Sequence, residues 1–301
     1  ISVVLMLTSE HLDYHRDIKE YIDAKRNILR FQSPSDFAIL NRDYPASNES
    51  DIHTEAQVYY VSRAGEIHRG CFIQNDWVII RTLGKLGESD TSDKSEGQKN
   101  WQTESSEFSD IKVVPVKDIL LPGKHNWENA CAASMAAYLA GVEISNIASV
   151  LKEFKGLEHR LELARVFNGV RYYDDSFSTT PETAVAAIEA FEAPEILILG
   201  GSSKNSDFTE LGKTIREAKN IKAIVGIGEE WPRIKASIEY RVSSIQYVEQ
   251  CSNMEEIVAK SREIAEVGDI VILSPACASF DMFKNYKERG REFKAKVDKL
   301  A

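Results

Sequence analysis

The apolar positions of this chain fall into short runs and into stripes at helical spacing, and together they predict an α/β protein. Residues 1–7, Ile-Ser-Val-Val-Leu-Met-Leu, read as a strand buried on both faces. Such a strand needs a neighbour on each side, so the chain is expected to enter in mid-domain. A helix is expected over 17–30, with Ile18, Ile22 and Leu29 forming its apolar stripe and Lys25 falling on the same stripe. A lysine in that position either snorkels its amine into water or meets a partner. If desolvated, its pKa drops and the neutral amine becomes chemically available. Strand patterns follow at 36–41 and 57–62, then a hairpin of 71–74 and 77–81 turning at Asn75-Asp76, then 111–115. Residues 84–110 are rich in Ser, Glu, Asp, Lys and Gln and read as a long inserted polar loop. An alanine-dense helix over 127–140 stops at Gly141, and Asn126 and Asn129 share one face at its start.

The second half alternates more regularly. Runs at 161–167 and 170–174 flank Asn168-Gly169, a dipeptide suited to a two-residue hairpin turn with positive φ. Thr180 then caps a helix whose first position is Pro181 and which runs to 191. Strands at 195–199, 221–227, 244–248 and 269–273 alternate with helices at 208–219, 230–238 and 254–266, and a long helix is expected from about 279. That alternation specifies a parallel sheet with right-handed crossovers. Ligands of such sheets sit beyond the carboxyl ends of the strands. Three polar loops lie there, 174–180, 200–207 and 274–279, and the first gathers carboxylates and hydroxyls where a strand hands over to a helix N-terminus, a place that favours anions.

Composition narrows the function classes. At 301 residues the chain is long enough for about two domains. No apolar run approaches the ~20 residues of a membrane helix. The net charge of −10 argues against nucleic acid as the main partner, and the basic stretch 284–299 reads as a solvated helix face. Cys71, Cys131, Cys251 and Cys277 lie far apart without a CxxC pair, which suits a reducing cytoplasm better than a disulfide framework or a zinc site. A cytoplasmic, monomeric protein acting on small molecules is expected.

Several segments, in order along the chain, carry a resemblance. They are Glu10-His11-Leu12-Asp13 with Ala24-Lys25, then Leu121-Pro-Gly-Lys-His-Asn126-Trp-Glu-Asn129, then Gly156-Leu-Glu-His-Arg160. Last comes Leu273-Ser-Pro-Ala-Cys-Ala-Ser279 with Asp281, Phe283, Lys284 and Arg289-Gly290. Together they resemble the Mur ligases, ATP-dependent amide-bond formers of bacterial peptidoglycan synthesis, and are most similar to the members that add D-glutamate. The resemblance implies the back half of a central ATPase domain over 1–156 and a Rossmann-like parallel-sheet C-terminal domain over 157–301. It implies that ATP phosphorylates the carboxylate of UDP-N-acetylmuramoyl-L-alanine and that the amine of D-glutamate attacks the acyl phosphate. It further implies Asn126 and Asn129 beside adenine, and Arg160 and Asp175 against the nucleotide. Thr179, Lys204, Ser279 and Tyr286 would lie around D-glutamate, and His11 with a carbamylated Lys25 would hold Mg²⁺. Two departures stand out. The glycine-rich phosphate loop and the UDP-sugar domain of the family are absent, so this chain alone is expected to be inactive and to bind ATP weakly. Phe177 stands where the family often has a phosphate-contacting lysine. The rival readings are a relative that adds another amino acid and a truncated, non-catalytic binding module.

Overall fold

The computed structural model describes residues 1–7, 14–83, 108–238 and 245–301. The chain divides into two compact units, Ile1–Leu120 with His125–Phe154, and Leu121–Lys124 with Lys155–Ala301. Each is an α/β layer structure.

The first unit contains β1 (Ser2–Val4), α1 (Ile18–Arg30), β2 (Phe37–Asn41), α2 (Pro45–Asn48), β3 (Gln57–Ser62), β4 (Gly70–Gln74), β5 (Trp77–Leu83), β6 (Phe108–Pro115), α3 (His125–Leu139) and α4 (Ile144–Glu153). Its six strands pair in sequence order. β1 to β4 are parallel, and β4, β5 and β6 are antiparallel. The hairpin forms as expected, with Asn75 at φ 49° and Asp76 at φ 60°, the positive values that its turn demands. Val4, Leu29, Ala38 and Leu40 make one core cluster, and Ile67, Phe72 and Ile79 another. The alanine-dense α3 lies against β2 to β5 and buries Ala130, Cys131, Ala132 and Met135. Small side chains let a helix sit close to a sheet.

Several expectations are corrected here. β1 is only three residues long, and α2 and α4 have no counterpart in the sequence reading. On α1 the fully buried residues are Tyr21 and Leu29, whereas Ile18 is 44% exposed. Lys25, on the same stripe, is solvent-exposed with its ammonium 5.3 Å from the Tyr21 ring centroid. Its four-carbon stem reaches water from an apolar face, which is the snorkelling outcome. The expected loop over 84–110 ends in strand, since 108–110 belong to β6, and 84–107 lie outside the described residues.

The second unit contains β7 (Glu162–Phe167), β8 (Val170–Asp174), α5 (Pro181–Ile188), β9 (Glu195–Gly200), α6 (Thr209–Glu217), β10 (Ile221–Ile227), α7 (Trp231–Ser237), β11 (Gln246–Val248), α8 (Met254–Ile264), β12 (Ile270–Leu273) and α9 (Tyr286–Asp298). The strand order is β11-β10-β9-β12-β8-β7, parallel except for the antiparallel edge strand β7. Both faces are covered, so the central strands β9 and β12 are near-continuous apolar runs rather than alternating. Alternate residues of β9 enter different cores: Leu197 and Leu199 join Leu211, Ile215 and Ile234 from α6 and α7, while Ile196 and Ile198 join Ile257, Phe293 and Val297 from α8 and α9. Each such fully buried side chain stabilises the fold by roughly 1.5–3 kcal/mol relative to exposure. The β7–β8 turn is Asn168-Gly169 as expected, at φ 48° and 76°. The last helix starts at Tyr286 rather than near 279, because the Asn285 side chain accepts from the Glu288 N–H and caps it there. α5 ends at Ile188, short of the expected 191.

Candidate functional site

In the second unit the loops after β8, β9 and β12 meet at the carboxyl end of the parallel sheet. β12 runs between β8 and β9, so segments about a hundred residues apart in sequence become neighbours. The loop after β9 is joined to that after β12: Ser202 N–H donates to the Ala278 carbonyl at 2.9 Å, Gly200 N–H to the Pro275 carbonyl at 2.8 Å, and Phe280 N–H to Ser202 Oγ at 3.0 Å. Gly201 permits this approach. A Cβ on it would stand 2.2 Å from the Ala278 oxygen, and its φ is +149°.

Arg289, from the second turn of α9, joins the loop after β12 to the loop after β8. It is 1% exposed. Nε donates to Ser176 Oγ at 2.9 Å, and the terminal nitrogens donate to the carbonyls of Ser176, Cys277 and Ala278 at 3.0–3.1 Å. Ser176 Oγ in turn donates to the Tyr286 carbonyl at 2.8 Å. Burial pulls the guanidinium pKa down to about 10, which leaves it cationic at neutral pH. In the sequence Arg289 appears only as part of a motif. Its clamping of Ser176, Cys277 and Ala278 depends on tertiary pairing that no local pattern reports.

Asp174 closes β8 and Asp175 follows it, and both are buried. Asp175 accepts the Leu161 N–H at 3.1 Å and the Ser274 hydroxyl at 2.8 Å. Burial nevertheless pushes its carboxyl up to about 7, and the Ser274 bond only partly offsets this. Asp174 Oδ2 lies 2.7 Å from His159 Nδ1, and burial raises its carboxyl too. Gly290 of α9 packs against this pair, and a Cβ there would be 2.3 Å from Nδ1 and 2.6 Å from Oδ2. His159 and Leu161, on either side of Arg160, take positive φ values of 68° and 43°. His159 thus serves structure through Asp174, besides flanking Arg160.

Among the other residues expected at the site, Lys204 Nζ lies 3.4 Å from Thr179 Oγ1, so these two meet. Ser279 is buried beside the Ser202–Ala278 contact. Tyr286 opens α9 and meets the Phe177 ring edge-on, with centroids 5.2 Å apart. Cys277 is 3% exposed, and burial pushes its thiol up to about 12, which fits packing rather than nucleophilic chemistry. In the first unit, Asn129 Nδ2 donates to Asn126 Oδ1 at 3.0 Å on the first turn of α3. Between them Glu128, buried, accepts from Arg63 at 2.6 Å, Tyr44 at 3.2 Å and Asn41 at 3.0 Å. This hub ties α3 to the ends of β2 and β3. The sequence gives no sign of it, because Asn41 lies 87 positions away.

His159, Glu162 and Asp174 bring donor atoms within 4.8 Å of one another, a geometry compatible with a cation. The Lys294 ammonium already lies 2.9 Å and 3.1 Å from the two Glu162 oxygens and 3.1 Å from Glu158. A fixed cation thus takes the place a metal would need. Of the residues expected to hold Mg²⁺, Lys25 is solvent-exposed on α1, and His11 lies outside the described residues.

Two family models match the chain: "Mur ligase middle domain" over residues 1–137 and "Mur ligase, glutamate ligase domain" over residues 159–277. A protein named UDP-N-acetylmuramoylalanine–D-glutamate ligase from Caldanaerobacter subterraneus subsp. tengcongensis is 35% identical over 300 residues, covering 99% of this chain and 59% of its own length. One of the same name from Symbiobacterium thermophilum is 36% identical, covering 100% of this chain and 61% of its own length. The chain therefore spans 59–61% of these curated relatives. The crystal structure of MurF ligase from Thermotoga maritima in complex with ADP superposes with a TM-score of 0.64 over 99% of this chain and 62% of that one, at 14% identity, a likeness of fold. Both domain models and both of these relatives agree, and the chain belongs to the Mur ligase family.

Proposed function

We propose that the protein is an ATP-dependent amide ligase that joins D-glutamate to UDP-N-acetylmuramoyl-L-alanine in peptidoglycan synthesis. The observation that carries this reading is the meeting of three loops at the carboxyl end of the second sheet, bearing Asp175, Thr179, Lys204 and Ser279. It is supported by the name that relatives matching the whole chain bear.

In the proposed reaction a carboxylate oxygen of the alanyl group attacks the γ-phosphorus of ATP, and ADP leaves. The amine of D-glutamate then adds to the acyl carbon of the mixed anhydride. The tetrahedral intermediate loses a proton from nitrogen and expels inorganic phosphate. The side chains serve by position and charge rather than by covalent participation. Lys204 and Thr179 suit a carboxylate of D-glutamate, one as a point charge and the other as a hydroxyl donor. Ser279 and Tyr286 complete the proposed acceptor group, Arg160 and Asp175 the proposed nucleotide group, and Asn126 and Asn129 a proposed adenine contact. His11 and Lys25 remain candidate Mg²⁺ ligands, on the resemblance alone.

The test is kinetic and uses the full-length natural protein. Lys204→Ala is expected to raise KM for D-glutamate roughly 10- to 150-fold, the loss of one charge-assisted contact, while KM for ATP stays within about twofold. Equal changes in both constants would make Lys204 a structural residue. Phosphate release that responds to L-glutamate or a diamino acid but not to D-glutamate would overturn the acceptor assignment.

A further inference from the structure

Arg160 is presented by an unusually constrained piece of backbone. Both neighbours take the left-handed conformation, His159 at φ 68° and Leu161 at φ 43°. Such values are uncommon for residues with a side chain and persist only where the surroundings hold them. Here they are held on each side: His159 by its ring on Asp174 at 2.7 Å, and Leu161 by its N–H on Asp175 Oδ1 at 3.1 Å. The Arg160 N–H also donates to the Leu157 carbonyl at 3.2 Å. The backbone under this arginine is therefore fixed.

Its side chain is fixed differently. Arg160 is exposed, and its guanidinium makes no ion pair or hydrogen bond among the described residues. The guanidinium lies over the Phe177 ring, with Cζ 5.9 Å from the ring centroid, and its charge also acts on the Asp175 carboxylate. Phe177 is itself anomalous. It is 44% exposed, while its neighbours Asp175, Ser176 and Ser178 are 5% exposed or less. The ring is not placed by burial. Tyr286 meets it edge-on at 5.2 Å and 82°, and Tyr286 is met in turn by the His159 ring at 6.0 Å and 89°. The Phe177 N–H donates to the His159 carbonyl at 3.0 Å, which closes the circuit. His159, Tyr286 and Phe177 thus form a chain of rings that ends under the guanidinium.

We propose that Phe177 is a positioning residue for Arg160: its ring face shelves the guanidinium so that the N–H donors stand ready for the phosphates of a bound nucleotide. This rests on the nucleotide role proposed above for Arg160. A free arginine side chain carries rotamer entropy that anion binding must otherwise remove. Stacking on a ring face removes part of it beforehand, and it leaves the in-plane N–H donors unused. Phe177 itself acts only through Arg160 and touches no nucleotide.

The experiment measures ADP binding by titration calorimetry in the full-length natural protein, for Phe177→Leu, Phe177→Trp, Arg160→Ala and the double variant Phe177→Leu/Arg160→Ala. Leucine keeps the apolar bulk and removes the ring face. Phe177→Leu is expected to weaken ADP about two- to fivefold, Phe177→Trp to stay within twofold of the parent, and Arg160→Ala to weaken it roughly tenfold or more. The double variant should bind no worse than Arg160→Ala alone, since the shelf has no purpose without the guanidinium. As a readout independent of ligand, the NMR order parameter of the Arg160 Nε–H in the unliganded protein should fall in Phe177→Leu. Additive losses in the double variant, or an unchanged order parameter, would overturn the shelf while leaving Arg160 as a nucleotide contact. An unchanged ADP affinity in Arg160→Ala would instead overturn the nucleotide role, and the proposal with it.

Discussion

Glu195 enters β9 with its side chain fully buried, at the end of the sheet away from the candidate site. Asn220 donates to one carboxyl oxygen at 3.1 Å, and the other has no partner among the described residues. Burial alone pushes the carboxyl up to about 9. The folded state therefore holds a proton that the unfolded chain releases from about pH 4.5 upward. Stability contributed by this group is fully present below that pH and is lost as the pH rises toward 9. Glu195→Gln keeps the Asn220 bond without the ionisation. It is expected to raise unfolding stability at pH 7 by on the order of 3 kcal/mol and to flatten the decline between pH 5 and 9. Urea denaturation across that range measures both, and a parent protein with no decline would show that Glu195 is solvated. The sequence marks this residue only as the start of a strand. Whether a glutamate there meets water or a closed core depends on what packs over it. Phe177 illustrates the same limit. Its identity was legible as a departure from a lysine position, but its place beneath Arg160 emerges only when β7, β8 and α9 come together.

At the scale of elements, α9 decides the geometry of the site. Its N-cap Asn285 and the following Glu288 are local features, yet the pattern of the sequence puts the helix start near 279, because nothing in it shows that 279–285 are occupied in a turn. There the Phe283 N–H donates to the Ser279 carbonyl at 2.8 Å, and Phe280 bonds the loop after β9. The first is a single helical turn that does not propagate, whereas the bond from Phe280 N–H to Ser202 Oγ ties the segment to the loop after β9. One turn further on, Gly290 lets α9 approach the His159–Asp174 pair. Gly290→Ala would place a methyl 2.3 Å from His159 Nδ1 and 2.6 Å from Asp174 Oδ2. A shift of either the helix or the pair must follow, at a cost of about 1–3 kcal/mol. The expected readouts are a lower melting temperature and, because His159 flanks Arg160, a weaker ADP affinity. A neutral result in both would mean that α9 moves outward freely. The hairpins, by contrast, were legible in full: Asn75-Asp76 and Asn168-Gly169 are two-residue signals, and the positive φ values they require are local properties.

At the scale of the whole molecule, the second unit has its own sheet, helices on both faces and two large apolar clusters. Residues 155–301 expressed alone are expected to unfold in one cooperative transition, with dispersed NMR spectra. Of the 121–124 segment that this piece lacks, Leu121 lies close to Gly156. A broad, non-cooperative melt would show that this unit depends on the rest of the chain. No helix among the described residues is long and apolar enough to cross a membrane. The sequence by itself determined the alternation of strands and helices, the hairpin turns, most helix starts and the three polar loops of the second unit. Side-chain period, capping and turn chemistry act between residues a few positions apart. Tertiary structure alone decided the order β11-β10-β9-β12-β8-β7, the joining of the loop after β9 to the loop after β12, and the burial of Arg289 among their carbonyls. Strand order is a choice among pairings of distant segments. Their free energies differ through packing and crossover geometry that no local pattern encodes.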